Sequence, residues 1–182
     1  MELWDLYDAS DRKTGETMRR GDPIPPDRYH LVVHIAIFSP DGRMLIQQRQ
    51  PFKEGWSNLW DVTVGGSAVA GDDSRTAAMR EVREEIGLTV DLHGVRPKLT
   101  LHTPSCINDW YLLTMDIDPA ALTLQASEVQ AVRWATQEEI QRMIAEKTFI
   151  PYEPGMISLL FHLRNHPDTR TRADDTVAAK AE

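Results

Sequence analysis

The sequence predicts an α/β fold, and three observations carry that expectation. The run 30–38, HLVVHIAIF, is β-branched and nearly all apolar, as expected of a strand covered on both faces. Ala77, Ala78, Val82 and Ile86 recur at helical spacing in the segment between Ser74 and Gly87. Segments of these two kinds alternate along the chain, and there is no internal repeat.

The elements follow in order. Trp4 to Tyr7 reads as a short strand, and the turn-like DASDRKTGE after it suits a hairpin. Gly21 to Arg28 is proline-rich and must be loop, so residues 1–28 form an N-terminal hairpin and loop extension. After HLVVHIAIF, Pro40-Asp41-Gly42 signals a turn and Met44 to Gln48 reads as the returning strand. Trp60 to Val64 is a further strand leading into Gly65 and Gly66. In the helix that follows, Ser74 is the expected N-cap and Gly87 suits the left-handed position past the C-terminus. Lys98 to His102 and Trp110 to Ile117 read as strands, separated by Pro104 and Asn108-Asp109. Val129 to Trp134 is a late strand, Thr136 caps a helix from Gln137 to Ala145, and Gly155 to Arg164 reads as a final helix. The stretch 167–182 is small, polar and charged, the composition of a mobile tail.

Composition narrows the class. A chain of 182 residues that is 41% hydrophobic can bury one sizeable core, so a single domain over 1–166 is expected. The opening MELWDLYDAS is acidic and lacks the apolar core of a signal peptide, and no run approaches the ~18 apolar residues of a membrane span. A single cysteine excludes an internal disulfide and fits a reducing compartment, so a cytoplasmic protein is expected. A net charge of −8 disfavours nucleic acid and anionic membrane as partners. It leaves room for a phosphorylated small molecule, because a bound metal inverts the local field.

The segment from Gly66 to Leu88, GSAVAGDDSRTAAMREVREEIGL, carries the chemistry. On a helix Glu81 lies three and four residues before Glu84 and Glu85, so the three carboxylates converge at one edge. Like charges so placed repel unless a cation joins them, and hard oxygen ligands suggest magnesium, with manganese as the alternative ion. A solvated acidic face partnered by Arg80 and Arg83 is the plainer reading of the acids alone. The wider spacing decides against it. The segment resembles the Nudix box: a Gly, five residues, a Glu, seven residues, then Arg-Glu-aliphatic-x-Glu-Glu-x-Gly-aliphatic. Gly66, Arg80, Glu81, Val82, Glu84, Glu85, Gly87 and Leu88 stand in register, and Asp72 stands where the box has its first Glu.

That resemblance implies a Nudix fold, a mixed β-sheet sandwiched between α-helices. It implies a metal-dependent hydrolase cleaving a diphosphate linkage in a nucleoside-diphosphate-type or other organic diphosphate. By motif position, Glu84 and Glu85 would bind metal directly, Glu81 would be a further ligand or orient the base, and Arg80 would hold the carboxylates in place. The carbonyl of Gly65 would complete the metal shell. The general base often lies outside the box in this family. Asp109 and Glu128 are the candidates, each equally readable as an ordinary surface acid. Asp72 would support the start of the helix by accepting backbone N–H bonds.

The run LWDVTVGGSA, the HLVVHIAIF strand and the later SEVQAVRW are similar to the Nudix branch that includes isopentenyl diphosphate isomerase. The cysteine and histidine of that isomerase align with Gly65 and Ser67, and Cys106 sits in a distant loop segment. Hydrolysis is therefore the expectation. An isomerase and a nucleotide-binding regulator without catalysis are the alternatives. His30 and His34 share one side of their strand, as metal ligands or as buried hydrogen-bonding groups. Trp56, Trp60, Trp110 and Tyr152 either line a substrate pocket or belong to the core, and Arg49 and Lys53 either meet phosphate or are solvated. A homodimer is compatible with the chain.

Overall fold

The computed structural model describes residues 2–166, so the expected tail at 167–182 lies outside the described residues. β1 (Leu3–Tyr7) and β2 (Lys13–Arg19) pair antiparallel in the expected hairpin, with Leu3 opposite Arg19. β3 (His30–Phe38) is the hub of the main sheet. It runs parallel to β8 (Cys106–Thr114) along its whole length and antiparallel to β6 (Val64–Ser67), with His34 opposite Gly65. β4 (Met44–Arg49) meets β3 at the Phe38–Met44 pair and then runs antiparallel to β5 (Trp60–Asp61) and β9 (Val129–Ala135). β7 (Leu99–His102) pairs with the outer side of β8.

Alternation along β3 divides two cores. Leu31, Val33, Ile35 and Ile37 pack with Ala77, Ala78, Val82 and Ile86 of α1 (Ser74–Ile86). Ala36 and Phe38 face the other way, with Met44 and Ile46, onto Ile140 and Met143 of α2 (Gln137–Ala145) and Ile157, Leu160 and Phe161 of α3 (Pro154–Leu163). Burying each of these larger aliphatic side chains contributes about 1.5–3 kcal/mol. The result is a mixed sheet between helices, the expected class. Among the described residues no helix is long and apolar enough to cross a membrane.

Three local expectations are corrected. Trp60 to Val64 is two strands rather than one, interrupted at Val62 and Thr63. There Thr63 Oγ1 accepts from the Ile37 N–H at 2.9 Å and donates to the Leu45 carbonyl, bridging β3 and β4 where they diverge. The strand expected at Trp110 begins at Cys106 and takes in Asn108 and Asp109, which are not a turn. Their polar side chains are satisfied by tertiary partners: Asn108 Oδ1 lies 3.2 Å from His34 Nε2, and Asp109 accepts from Thr100 Oγ1 at 2.6 Å. Asp73, not Ser74, is the N-cap of α1, its carboxylate accepting from the Thr76 N–H at 2.8 Å. Gly87 holds the expected left-handed conformation, φ 70°, and returns its N–H to the Arg83 carbonyl.

Candidate active site

The sequence places a short β6 and α1 on either side of one tight loop, and their packing builds the site. Gly66 faces the Glu81 carboxyl so closely that a Cβ at this position would overlap Glu81 Cδ and Oε1. Glycine at this position lets the Glu81 carboxyl approach the backbone, which a side chain would push aside. Arg80 binds what surrounds it. Its Nε donates to Asp72 at 3.1 Å, NH1 to Glu81 at 2.9 Å and to Glu84 at 3.2 Å, and NH2 to the Ser67 carbonyl at 3.2 Å. The carboxylate of Asp72 thus serves Arg80 and not the helix N-terminus, because Asp73 already occupies the cap.

Glu85 is 5% exposed and lies deepest. Burial pushes its carboxyl up to about 8, and the charges of Glu81, Glu128 and Asp61 push the same way, against the hydrogen bond from Gln47. That bond, Gln47 Nε2 to Glu85 Oε2 at 3.0 Å, ties β4 to the last turn of α1. Burial raises Glu81 as well, which Arg80 opposes. These acids, with Gly65, Gly66 and Ser67, line a cavity of about 220 Å³. Glu128 lines the same cavity, and so do Arg49 and Lys53. Lys53 Nζ meets Glu128 Oε2 at 2.5 Å, whereas Arg49 spends its Nε on the Gly55 carbonyl at 3.1 Å and has no carboxylate in ion-pair range among the described residues.

The structure therefore brings Arg80, Glu81, Glu84, Glu85, Glu128 and Gly65 to one cavity. It does not bring Asp109. That carboxylate accepts from Ser74 Oγ at 2.5 Å and from Thr100, at the opposite end of α1 from Glu85. Eleven residues of helix separate the two ends by roughly 16 Å. Asp109 anchors the first turn of α1 and is not among the residues lining this cavity. His30 and His34 share a side of β3, and each stacks on a tryptophan: His30 on Trp4 at 4.3 Å between ring centroids and His34 on Trp110 at 4.2 Å. Gln47 was not singled out in the sequence, where an amide on a strand carries no signal of what it touches.

A metal fits the donor set by chemistry. Among the described residues no three His, Cys, Asp or Glu side chains already surround one point. The cavity nevertheless holds hard oxygen donors: burial raises Glu81 and Glu85, the charge of Glu84 adds to this at Glu81 and that of Glu81 at Glu85, and a cation relieves both effects.

The comparisons agree with the geometry. The NUDIX domain family matches residues 28–156. An uncharacterised Nudix hydrolase of Listeria innocua is 43% identical over 165 residues, covering 91% of this chain and 96% of that protein. Nudix hydrolase 3 of Arabidopsis thaliana is 31% identical over 84% of this chain, which spans 22% of that longer protein. A crystal structure from Deinococcus radiodurans superposes with a TM-score of 0.71 at 24% identity, covering 89% of this chain and 99% of that one, a likeness of fold. The chain belongs to the Nudix family.

Proposed function

We propose that the protein is a divalent-metal-dependent hydrolase cleaving the diphosphate linkage of a nucleoside-diphosphate-type or other organic diphosphate. One observation carries the reading: a single cavity is lined by Glu81, Glu84, Glu85 and Glu128 and by Arg49, which has no carboxylate in ion-pair range among the described residues. The first set suits a metal ion and the second suits phosphate oxygens.

Glu84 and Glu85 would hold the ion, with Glu81 and the Gly65 carbonyl as further donors, magnesium being the favoured metal and manganese the alternative. Bound there, the ion supplies charge stabilisation to the phosphoryl oxygens. Arg80 keeps Glu81 and Glu84 oriented through its fork of donors. Arg49 and Lys53 neutralise and orient the diphosphate. Glu128 is the remaining base candidate. Lys53 fixes its Oε2, which leaves Oε1 to accept the proton of the attacking water.

The isomerase alternative gains nothing from the structure. A Cβ at Gly65 would stand 3.2 Å from His34 Nδ1, so any side chain at that position requires His34 to give way by a few tenths of an ångström. Cys106 instead lies 3.6 Å from His30 Nδ1 at the start of β8. The reading is tested by measuring phosphate or monophosphate release from a broad panel of diphosphate compounds with magnesium, against the same panel with chelator.

A further inference from the structure

Glu2 and Arg20 lie outside the 28–156 span that the family matches, yet both line the cavity that holds the box acids. The hairpin that carries them is fastened to the box loop. The Ala70 N–H donates to the Leu3 carbonyl at 2.7 Å, the Gly71 N–H to Asp5 Oδ2 at 2.9 Å, and Lys13 Nζ to the Asp72 carbonyl at 2.7 Å. Stacking of Trp4 on His30 ties the same hairpin to β3. Arg20, directly after β2, is held by its own N–H on the Glu2 carbonyl at 3.1 Å. Its guanidinium makes one side-chain contact, NH1 to Glu2 Oε2 at 3.0 Å, and the side chain is 59% exposed. Nε and NH2 have no protein partner among the described residues.

A second cavity of about 440 Å³ shares Arg20, Arg49 and Lys53 with the first. The three cations thus stand where the two spaces meet. A cluster of three cations with several unused donors matches a terminal phosphate, which carries nearly two charges and three free oxygens, better than an internal phosphate with one charge and two.

We propose that Arg20 is a substrate-binding residue, and that with Arg49 and Lys53 it cradles the unesterified terminal phosphate of the substrate. The added hairpin thereby makes the site prefer diphosphates with a free terminal phosphate over those esterified at both ends. This substrate class rests on the hydrolase reading above.

Calorimetric binding of inorganic pyrophosphate, with chelator present, tests the cradle without turnover. The wild type binds, Arg20→Ala weakens binding about tenfold or more, and Arg20→Lys falls between them. Glu2→Gln, which releases Arg20 from its partner and keeps it charged, binds at least as tightly as wild type. No binding by the wild type, equal binding by Arg20→Ala, or a loss in Glu2→Gln as large as in Arg20→Ala overturns the proposal. In the same proteins, the kcat/KM ratio of a nucleoside diphosphate to its sugar-capped counterpart drops in Arg20→Ala. An unchanged ratio overturns the stated preference. A wild type that hydrolyses no diphosphate at all refutes the hydrolase reading, while the calorimetry still decides the cradle.

Discussion

Arg80 donates from Nε to Asp72 Oδ2 at 3.1 Å, and this bond joins the acid that departs from the box pattern to the guanidinium that holds Glu81 and Glu84. Asp72 is one methylene shorter than the glutamate of the pattern and still reaches Arg80 Nε.

The first prediction follows from that pair. Asp72→Ala frees Arg80 to bind Glu81 and Glu84 more fully, so it competes better with a metal. The magnesium concentration for half-maximal hydrolysis rises on the order of tenfold, with a smaller change in maximal rate. Asp72→Glu keeps or modestly improves both. A magnesium titration of the three proteins checks this, and a collapse of maximal rate in Asp72→Ala at saturating magnesium would give Asp72 a direct part in the chemistry.

Gly66→Ala places a methyl group into the Glu81 carboxyl. The expected cost is about 1–3 kcal/mol of stability. Glu81 must turn away from the cavity, so activity falls far more than stability does. Thermal unfolding and hydrolysis measured side by side separate the two effects, and full activity in Gly66→Ala would show that Glu81 need not sit where it does.

Glu85→Gln separates stability from function. Glu85 has an ordinary value of 4.5 and is pushed up to about 8 by burial and by Glu81. Below about pH 4.5 the carboxyl is protonated whether the chain is folded or not. As pH rises from 4.5 to 8 the unfolded chain gives up this proton and the folded chain keeps it. The metal-free protein therefore loses stability across that window and levels off above it. Glutamine carries no such proton and can still accept the bond from Gln47. In chelator, Glu85→Gln should melt at the same temperature as wild type near pH 4, and higher above pH 8. Equal melting at both pH values would contradict the strained acid.

Much of this was legible in the sequence. The box spacing pointed to Arg80, Glu81, Glu84 and Glu85, and the apolar run at His30–Phe38 marked the central strand to the residue. What was missed depends on contacts between distant segments. Asn108 and Asp109 carry turn chemistry by themselves, and backbone pairing with β3 and β7, with His34, Thr100 and Ser74 meeting their side chains, makes them strand residues. Ser74 and Asp73 are both good caps. Asp109 takes the hydroxyl of Ser74, which leaves Asp73 for the helix. Gln47 and Arg20 had no local pattern to betray them, because their significance lies in which surfaces the sheet and hairpin bring beside Glu85.

The most direct test of the central claim is product release from a panel of organic diphosphates by the wild type and by Glu85→Gln, each with magnesium and with chelator. Release is expected from the wild type with magnesium, none with chelator, and a loss on the order of 10²-fold or more in Glu85→Gln. Hydrolysis that survives both chelator and Glu85→Gln would contradict that claim.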